Sequence, residues 1–584
     1  MRRIRQIWGF VKPFKASLIV AVVLTGALTF VGMVPPLLMR RLVNDVAREG
    51  QWGIFPVVIG LLFLVPLLRA GINLGNAFSL NKVGLGLIGR TRRQIYAHLM
   101  RLSMRFYDET PVGSINQRLM GDVGAISGVV TGGMITLIAD VVAVGFAVTV
   151  MLRLSPKLSL LTFALVPLYY LNYWFFSQRM HQANITLRSH MDHISSYLQE
   201  RLSAHELMQS YGQEKAHATH FNSQSKQMMD TAIRSGAYSA AFTQIGAFLN
   251  KIGNTTIYCA GCYFLIKGSM QYGDVVAFGA YATSILGPVV RFATVANQFK
   301  QVGVSIDRVN EILNREPAIQ ERPGAVPVET LEGNITVEGL HFDYANGETA
   351  LEDVEMEIPA GADVAMVGST GAGRTTLAML LRRFYDPTEG RIVVDGMDIR
   401  DYRLHDYRRA LALVLPQSTV FDGTIRENLL YGKPDAAEER MLEVSKAVGL
   451  SEFVEELTDG YDTRVGTGGL KLSTGIQQKI GVARALISEP LILIADEATA
   501  SLDPESAEMI NDAIWRAMED KTCIMVVHRV LMARSADTVV VMRDGQVAES
   551  GPPDQLLCRS HSRYRDLFAR QYGEERLPPA REEQ

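Results

Sequence analysis

Residues 1 to about 310 carry long, nearly unbroken apolar runs, whereas the remainder alternates short apolar runs with polar stretches. Six runs, at 17–39, 53–79, 132–152, 158–176, 242–266 and 275–299, each approach the about 20 apolar residues that cross a bilayer as a helix. Pro288 and Arg291 interrupt the last of them. Short connections (40–52, 153–157, 267–274) alternate with two long ones (80–131 and 177–241) whose pattern is helical. Spanning helices that continue well beyond the membrane fit that alternation.

Charge orients the bundle. The N-terminus MRRIRQIWGFVKPFK is basic, and the first long connection carries Arg90, Arg92, Arg93, Arg101, Arg105 and Arg118, which assigns these segments to the cytoplasm. Arg40 and Arg41 in a short external loop are an exception. The first apolar run is too long for a signal-peptide core and lacks a small-residue cleavage site, so it stays as a span. Within the long connections, 105–123 and 197–214 place Gly113 and Ala204 between helical stretches, which by themselves read as solvated helical hairpins. Polar residues in the spans (Arg69, Asn73, Asp140, Asn172, Asn250, Lys251 and Asn254) are expected to face the bundle interior. At least two of them line a polar translocation path; the alternatives are that Arg69 or Lys251 pairs with Asp140, or lies near a helix end and snorkels.

A net charge of −3 argues against a dedicated nucleic-acid surface. Four cysteines make no disulfide framework, and Cys259 and Cys262 read as small packing residues on a helix.

The stretch 314–330, NREPAIQERPGAVPVET, reads as a linker. Beyond it the chain turns to β-rich runs. DVAMV leads into GSTGAGRTT (Gly368, Ser369, Thr370, Gly371, Ala372, Gly373, Arg374, Thr375, Thr376) and then LAMLLRRFY, which is strand, glycine-rich turn, helix. Such a turn points backbone N–H groups at a polyphosphate, with the helix dipole adding to the attraction. The spacing is that of a P-loop, with Arg374 in place of its lysine. LILIADEA gives a buried strand ending on Asp496 and Glu497, and CIMVVHR a strand ending on His528. Thr375 and Asp496 can hold Mg²⁺ between β- and γ-phosphates; Glu497 can polarise a water; His528 can sense the γ-phosphate. Gln417, after LALVLP, can reach the same metal and water, and Tyr344 can stack on a purine. Two acids closing a buried strand are costly without such a role.

With these pieces in order, the chain resembles an ABC transporter half of the exporter-fold type over nearly its whole length. The matching motifs are Tyr344 (adenine-stacking loop), GSTGAGRTT (Walker A), Gln417 (Q-loop), LSTGI at 472–476 (signature), LILIADEA (Walker B), ASLD at 500–503 (D-loop) and His528 (switch). In the membrane half they are FYDETPVG, the E-x-x-x-A repeat from Glu200, and the Gly273, Pro288 and Arg308 pattern. The resemblance implies an α-helical membrane domain (1–313), the linker, and an α/β P-loop nucleotide-binding domain with a helical insert (331–570). A polar tail (571–584) follows. It also implies two paired halves, with ATP held between one chain's Walker motifs and the other's Ser473, Gly475 and Asp503. By the same resemblance, 105–123 and 197–214 are elbows for docking the cytoplasmic domain.

The departures carry information. Against LSGGQ this chain has Thr474 and Ile476; Thr467 stands where exporters carry a glutamate; Arg374 replaces lysine. Glu497, Asp496, Gln417 and His528 remain. That unevenness is the mark of one member of a heterodimer with unequal ATP sites. The expected protein is an ATP- and Mg²⁺-using translocase of the bacterial inner membrane, exporting a small or amphipathic substrate. Import of a metal-chelating siderophore, or a regulatory, channel-like membrane protein with little turnover, are the alternatives.

Overall fold

The computed structural model describes residues 12–578 apart from Thr467 and Ser501, and leaves out the side chains at 286, 289, 290, 293, 294, 296, 297 and 300. The basic stretch 1–11 and Thr467 therefore lie outside the described residues. The chain forms two compact units: Met1–Leu99 with Gly113–Asn314, and Met100–Val112 with Arg315–Gln584.

The first unit is helical. Four segments are long and apolar enough to cross a membrane: Lys12–Arg48, Trp52–Leu99, Val112–Leu154 and Pro156–Ser203. Its long helices are α1 (Lys15–Gly32), α2 (Phe55–Leu99), α3 (Ile135–Leu154), α4 (Val166–Ser203), α5 (Glu214–Ile266) and α6 (Tyr272–Leu313). The last two apolar runs of the sequence lie on α5 and α6, which have 53 and 42 residues but are not among the four. At about 1.5 Å per residue, helices of this length outrun a bilayer of about 30 Å. The continuation of helices past their apolar runs is thus as expected.

Antiparallel α4 and α5 are joined at three levels: Asn172 Nδ2 donates to Phe242 O (3.3 Å), Ser235 Oγ to Asn184 Oδ1 (2.9 Å), and Tyr197 Oη meets His217 Nδ1 (2.8 Å). Asp140 does not pair with Arg69 or Lys251. It accepts two bonds from Arg291, from Nε at 2.8 Å and Nη2 at 2.6 Å, so the residue that interrupted the last apolar run supplies its counter-charge. Arg40 likewise has an acid, Asp274, at 2.5 Å, and Gly273 N–H donates to Asn44 Oδ1 at 2.8 Å beside it. Deeper along α6, Ser305 Oγ donates to the buried Asp122 at 2.7 Å and Arg118 pairs with Glu311 at 3.1 Å. Cys259 and Cys262 are both unbonded thiols on α5.

The elbows are real bends, though one is displaced. The first breaks between the short helices Met104–Glu109 and Val112–Gln117, at Thr110 and Pro111, and Gly113 is already helical. Proline lacks the N–H that a continuing helix would need. The second falls at Ala204, between α4 and the helix His205–Ser210.

The second unit is α/β. Strands β3 (Asp363–Gly368), β6 (Leu411–Val414), β9 (Ile492–Asp496), β10 (Thr522–Val526), β11 (Thr538–Arg543) and β12 (Gln546–Gly551) form a sheet ordered β12-β11-β3-β10-β9-β6. All pairings are parallel except β11 with β12. A four-stranded antiparallel sheet, β2-β1-β4-β5, uses β1 (Ile335–Asp343), β2 (Thr349–Ile358), β4 (Glu389–Val394) and β5 (Met397–Asp398). A small pair, β7 (Gly423–Thr424) and β8 (Arg464–Val465), lies in the helical insert. The continuous apolar runs of the central strands follow from burial on both faces. Ala365, Val367, Leu493, Ala495, Cys523 and Met525 enter one core; Val364, Met366, Ile492, Ile494, Ile524 and Val526 enter the other.

The stretch 314–330 is no loose tether. Ile319 is buried, Arg383 Nη2 donates to Gln320 O (3.1 Å), Glu321 Oε1 accepts from Leu404 N (3.0 Å), and Val326 N donates to Asp401 O (2.8 Å). At the other end, the helix Arg563–Tyr572 runs through position 570, so no tail begins there.

Candidate active site

Parallel register brings the chemistry to one edge of the sheet. Val526 of β10 pairs with Asp496 on one side and Met366 on the other, so Glu497, His528 and the loop after Gly368 leave the sheet side by side. Ligand crevices of open α/β sheets form at this carboxyl end of the strands.

The loop then turns into α7 (Arg374–Leu381), whose N-cap Gly373 has φ 91° and makes no side-chain cap. A Cβ there would lie 2.7 Å from Ala350 O, so only glycine fits. The first amides of α7 stay open to an anion. Ser369, Thr370, Gly371 and Thr375 are exposed, whereas Ala372, Arg374 and Thr376 are buried.

Arg374 points into the site. Its Nη1 donates to Val527 O at 3.0 Å and its Nη2 lies 3.9 Å from Glu497 Oε1. Burial pulls its pKa below the ordinary arginine value, while Glu497 and Asp496 act to raise it. His528 Nε2 stands 2.7 Å from Glu497 Oε1. Glu497 itself has φ 50°, a left-handed backbone that a side-chain-bearing residue adopts at some cost.

Asp496 is 1 % exposed, and the Thr375 hydroxyl is the group that stands against its carboxylate, with no full-strength hydrogen bond formed to either oxygen. Burial raises its pKa, opposed by the neighbouring Thr375 hydroxyl. A buried carboxylate with only a hydroxyl beside it suits a hard cation whose remaining ligands come from phosphate and water. Mg²⁺ therefore fits Thr375 and Asp496. Among the described residues no cluster of three or more His, Cys, Asp or Glu could hold a metal, so phosphate oxygens would have to complete the shell. Gln417 lies three positions past β6 and is exposed, without a bond to Asp496.

Tyr344 Oη meets Thr376 Oγ1 at 2.9 Å, and its ring packs edge-on against Phe342 and Tyr385. A cavity of about 800 Å³ opens beside it, lined by Asp108, Asn346, Met379 and Tyr385 among others.

Ser473, Gly475 and Asp503 form a separate cluster. Ser473 caps α8 (Thr474–Ile487), its Oγ accepting from Ile476 N at 3.3 Å. A Cβ on Gly475 would come within 3.2 Å of the Leu502 side chain, and Asp503 caps the helix Pro504–Ala517 through Ser506 N at 2.9 Å. Thr474 is the first residue of α8, exposed and without a positive φ, so its Cβ strains nothing within the chain. Among the described residues no hydrogen bond joins this cluster to 368–376.

Two contacts escaped the sequence. Gln571 Nε2 donates to His528 O at 2.8 Å while its Oε1 accepts from Val530 N at 2.9 Å. Tyr385 Oη donates to Asp108 at 2.5 Å. The run RFYD gave no sign of the second, and nothing in the sequence marked the first.

Comparison with known proteins agrees with this geometry. Residues 18–289 match the ABC transporter transmembrane region and 351–500 the ABC transporter ATP-binding family. The chain is 32% identical over 577 residues to the Bacillus subtilis ATP-binding/permease protein YgaD, whose name proposes multidrug export, covering 97% of this chain and 98% of that one. It is 31% identical over 560 residues to an ATP-dependent lipid A-core flippase of Syntrophus aciditrophicus, covering 96% and 92%. The solved structure of a bacterial Atm1-family ABC exporter with ATP bound superimposes with a TM-score of 0.79 at 25% identity, covering 97% of this chain and 99% of that one. The chain belongs to the ABC transporters, as an ATP-hydrolysing translocase of exporter fold with its membrane and ATP-binding domains fused.

Proposed function

We propose that the chain is one half of a two-chain exporter that moves an amphipathic substrate by alternating access, driven by Mg-ATP. The observation that carries this reading is the separation of two incomplete clusters. The loop 368–376 gathers Arg374, Asp496, Glu497 and His528, whereas Ser473, Gly475 and Asp503 stand apart on their own helix ends. A second chain would supply the missing cluster to each ATP. The replacements Thr474, Ile476 and Arg374 favour a related but non-identical partner, and slow hydrolysis by this chain alone.

In this reading α5 and α6 cross the membrane with the four more apolar segments, giving six spans in a bacterial inner membrane. ATP closes the paired cytoplasmic domains and the two elbows carry that motion to the spans. The second elbow exposes Leu202, Leu207 and Tyr211, apolar surface suited to docking. The names of two relatives, for multidrug export and lipid A-core flipping, support an amphipathic cargo.

The test uses inside-out vesicles carrying the chain with its partner half. ATP-dependent accumulation of an amphipathic fluorescent dye is expected, and Glu497→Gln should abolish it. Accumulation that persists in Glu497→Gln, or without ATP, would sink this reading.

A further inference from the structure

Arg374 stands where the family carries lysine, yet it is well seated. It is 6 % exposed, and one arm of its guanidinium holds the Val527 carbonyl at 3.0 Å. The pairing of β10 with β3 ends at Val526, and Val527 N–H still reaches Met366 O at 3.0 Å. The Val527 carbonyl is thus among the first backbone groups beyond the paired register, and a P-loop side chain takes it. The next residue is His528, whose Nε2 lies 2.7 Å from Glu497 Oε1. The other arm, Nη2, faces that same oxygen at 3.9 Å, too far for a hydrogen bond.

Geometry decides what a lysine could do here. An ammonium is a compact charge whose three donors radiate from one atom. A guanidinium is a planar fork with five donors on a rigid frame. The fork can hold a carbonyl with one arm and keep the other for an approaching phosphate.

We propose that Arg374 is a positioning residue for the switch, tying the phosphate-binding loop to Val527 and so fixing where His528 meets Glu497. The proposal rests on reading 368–376 as an ATP site. It reverses the simplest view of the replacement: restoring the family lysine is damage, not repair.

Two measurements on the full-length chain, purified with its partner half in lipid nanodiscs, test it. The first is hydrogen–deuterium exchange of the peptide spanning 522–533 without nucleotide. Arg374→Lys should raise uptake there while leaving 404–410 unchanged. The second is release of labelled phosphate in the double-mutant cycle of Arg374→Lys and His528→Ala. Displacing catalytic groups by about 1 Å can cost about a hundredfold, so Arg374→Lys should lower release at least about tenfold when His528 is present. In the His528→Ala background the same change should cost less than about twofold, because the group it positions is gone. Unchanged uptake, or equal losses in both backgrounds, overturns the clasp. Absence of Mg-AMP-PNP-dependent protection of 368–376 in the unmodified chain would instead overturn the ATP-site reading beneath it.

Discussion

Tyr385 donates its hydroxyl to Asp108 across 2.5 Å, joining the segment just after the phosphate-binding helix to the short helix Met104–Glu109. Burial, and then the bond to Asp108, push the Tyr385 phenol well above its ordinary value, so it remains a donor throughout the working range. Arg315 fastens the neighbouring Glu109 at 2.5 Å. On its other side the Tyr385 ring meets Tyr344, whose hydroxyl bonds Thr376 at the start of α7.

Tyr385→Phe should keep the ring packing and lose only that bond. A hydrogen bond to a charged acceptor contributes about 1.5–3 kcal/mol, so docking of 104–109 should weaken by more than about tenfold. Hydrogen exchange across 104–109 is the check: it should rise while Mg-ATP affinity holds within about twofold. Equal protection in both chains would remove the bond from any role in docking.

The Asp140–Arg291 pair predicts an asymmetric cost of charge removal. Asp140 is nearly buried and its side chain has Arg291 on both oxygens, whereas Arg69 and Lys251 are exposed. Breaking a buried pair from one side costs about 3–5 kcal/mol, and half-exposure of Arg291 should place this one below that range. Asp140→Asn should therefore lower the unfolding temperature in detergent clearly more than Lys251→Met does. A larger effect from Lys251→Met would point to a partner for Lys251 that matters more. Neutralising Lys251 or Arg69 is expected to alter transport more than ATP binding.

Stability of the ATP-binding domain should fall as pH rises toward neutrality. Burial, with Asp537 adding repulsion, pushes Asp363 up from 3.8 to about 7. Between those values the folded chain binds a proton that the unfolded chain has released, so stability is greatest at the acid end and declines through the window. Asp363→Asn should flatten this dependence and raise stability on the alkaline side. Thermal unfolding on either side of neutrality reads it; an unchanged slope would assign the dependence to other groups.

The two composite ATP sites should turn over unequally. In the proposed two-chain arrangement, Glu497 and His528 stay in contact with Asp496 beside them, and Thr474 would alter the signature offered to the partner's ATP. Loss of one transition-state donor costs about 3–4 kcal/mol, and a Thr474 Cβ facing the partner's nucleotide would incur part of that. Glu497→Gln should thus remove most phosphate release, and the partner's corresponding change much less. The reverse ranking would place the greater loss at this chain's own phosphate-binding residues and overturn the assignment.

Local spacing made much of this legible. The loop 368–376, the acids of β9 and His528 each announce themselves within a few residues, because a strand end and a turn fix geometry over that distance. What stayed hidden is decided by packing. Asp140 had several candidate partners, and only the placement of α6 against α3 selects Arg291. Proline and glycine made 314–330 look like a tether, but Ile319 and Gln320 are pinned to the domain. Gly481 looks like an ordinary helix glycine, yet a Cβ would fall 1.9 Å from Ser418 Oγ, beside Gln417.

The grip of Gln571 on residues 528 and 530 has a kinetic consequence. With the His528 carbonyl and the Val530 amide both held, and Val527 bonded through its N–H and C=O alike, the backbone here has little room to travel. What remains movable is the half-exposed imidazole itself. In the proposed ATP site, a response of His528 to a terminal phosphate would be a rotation about side-chain bonds, complete in picoseconds to nanoseconds rather than the microseconds of a rearranging loop. A switch confined to this side chain in that site would answer the phosphate before any larger motion begins.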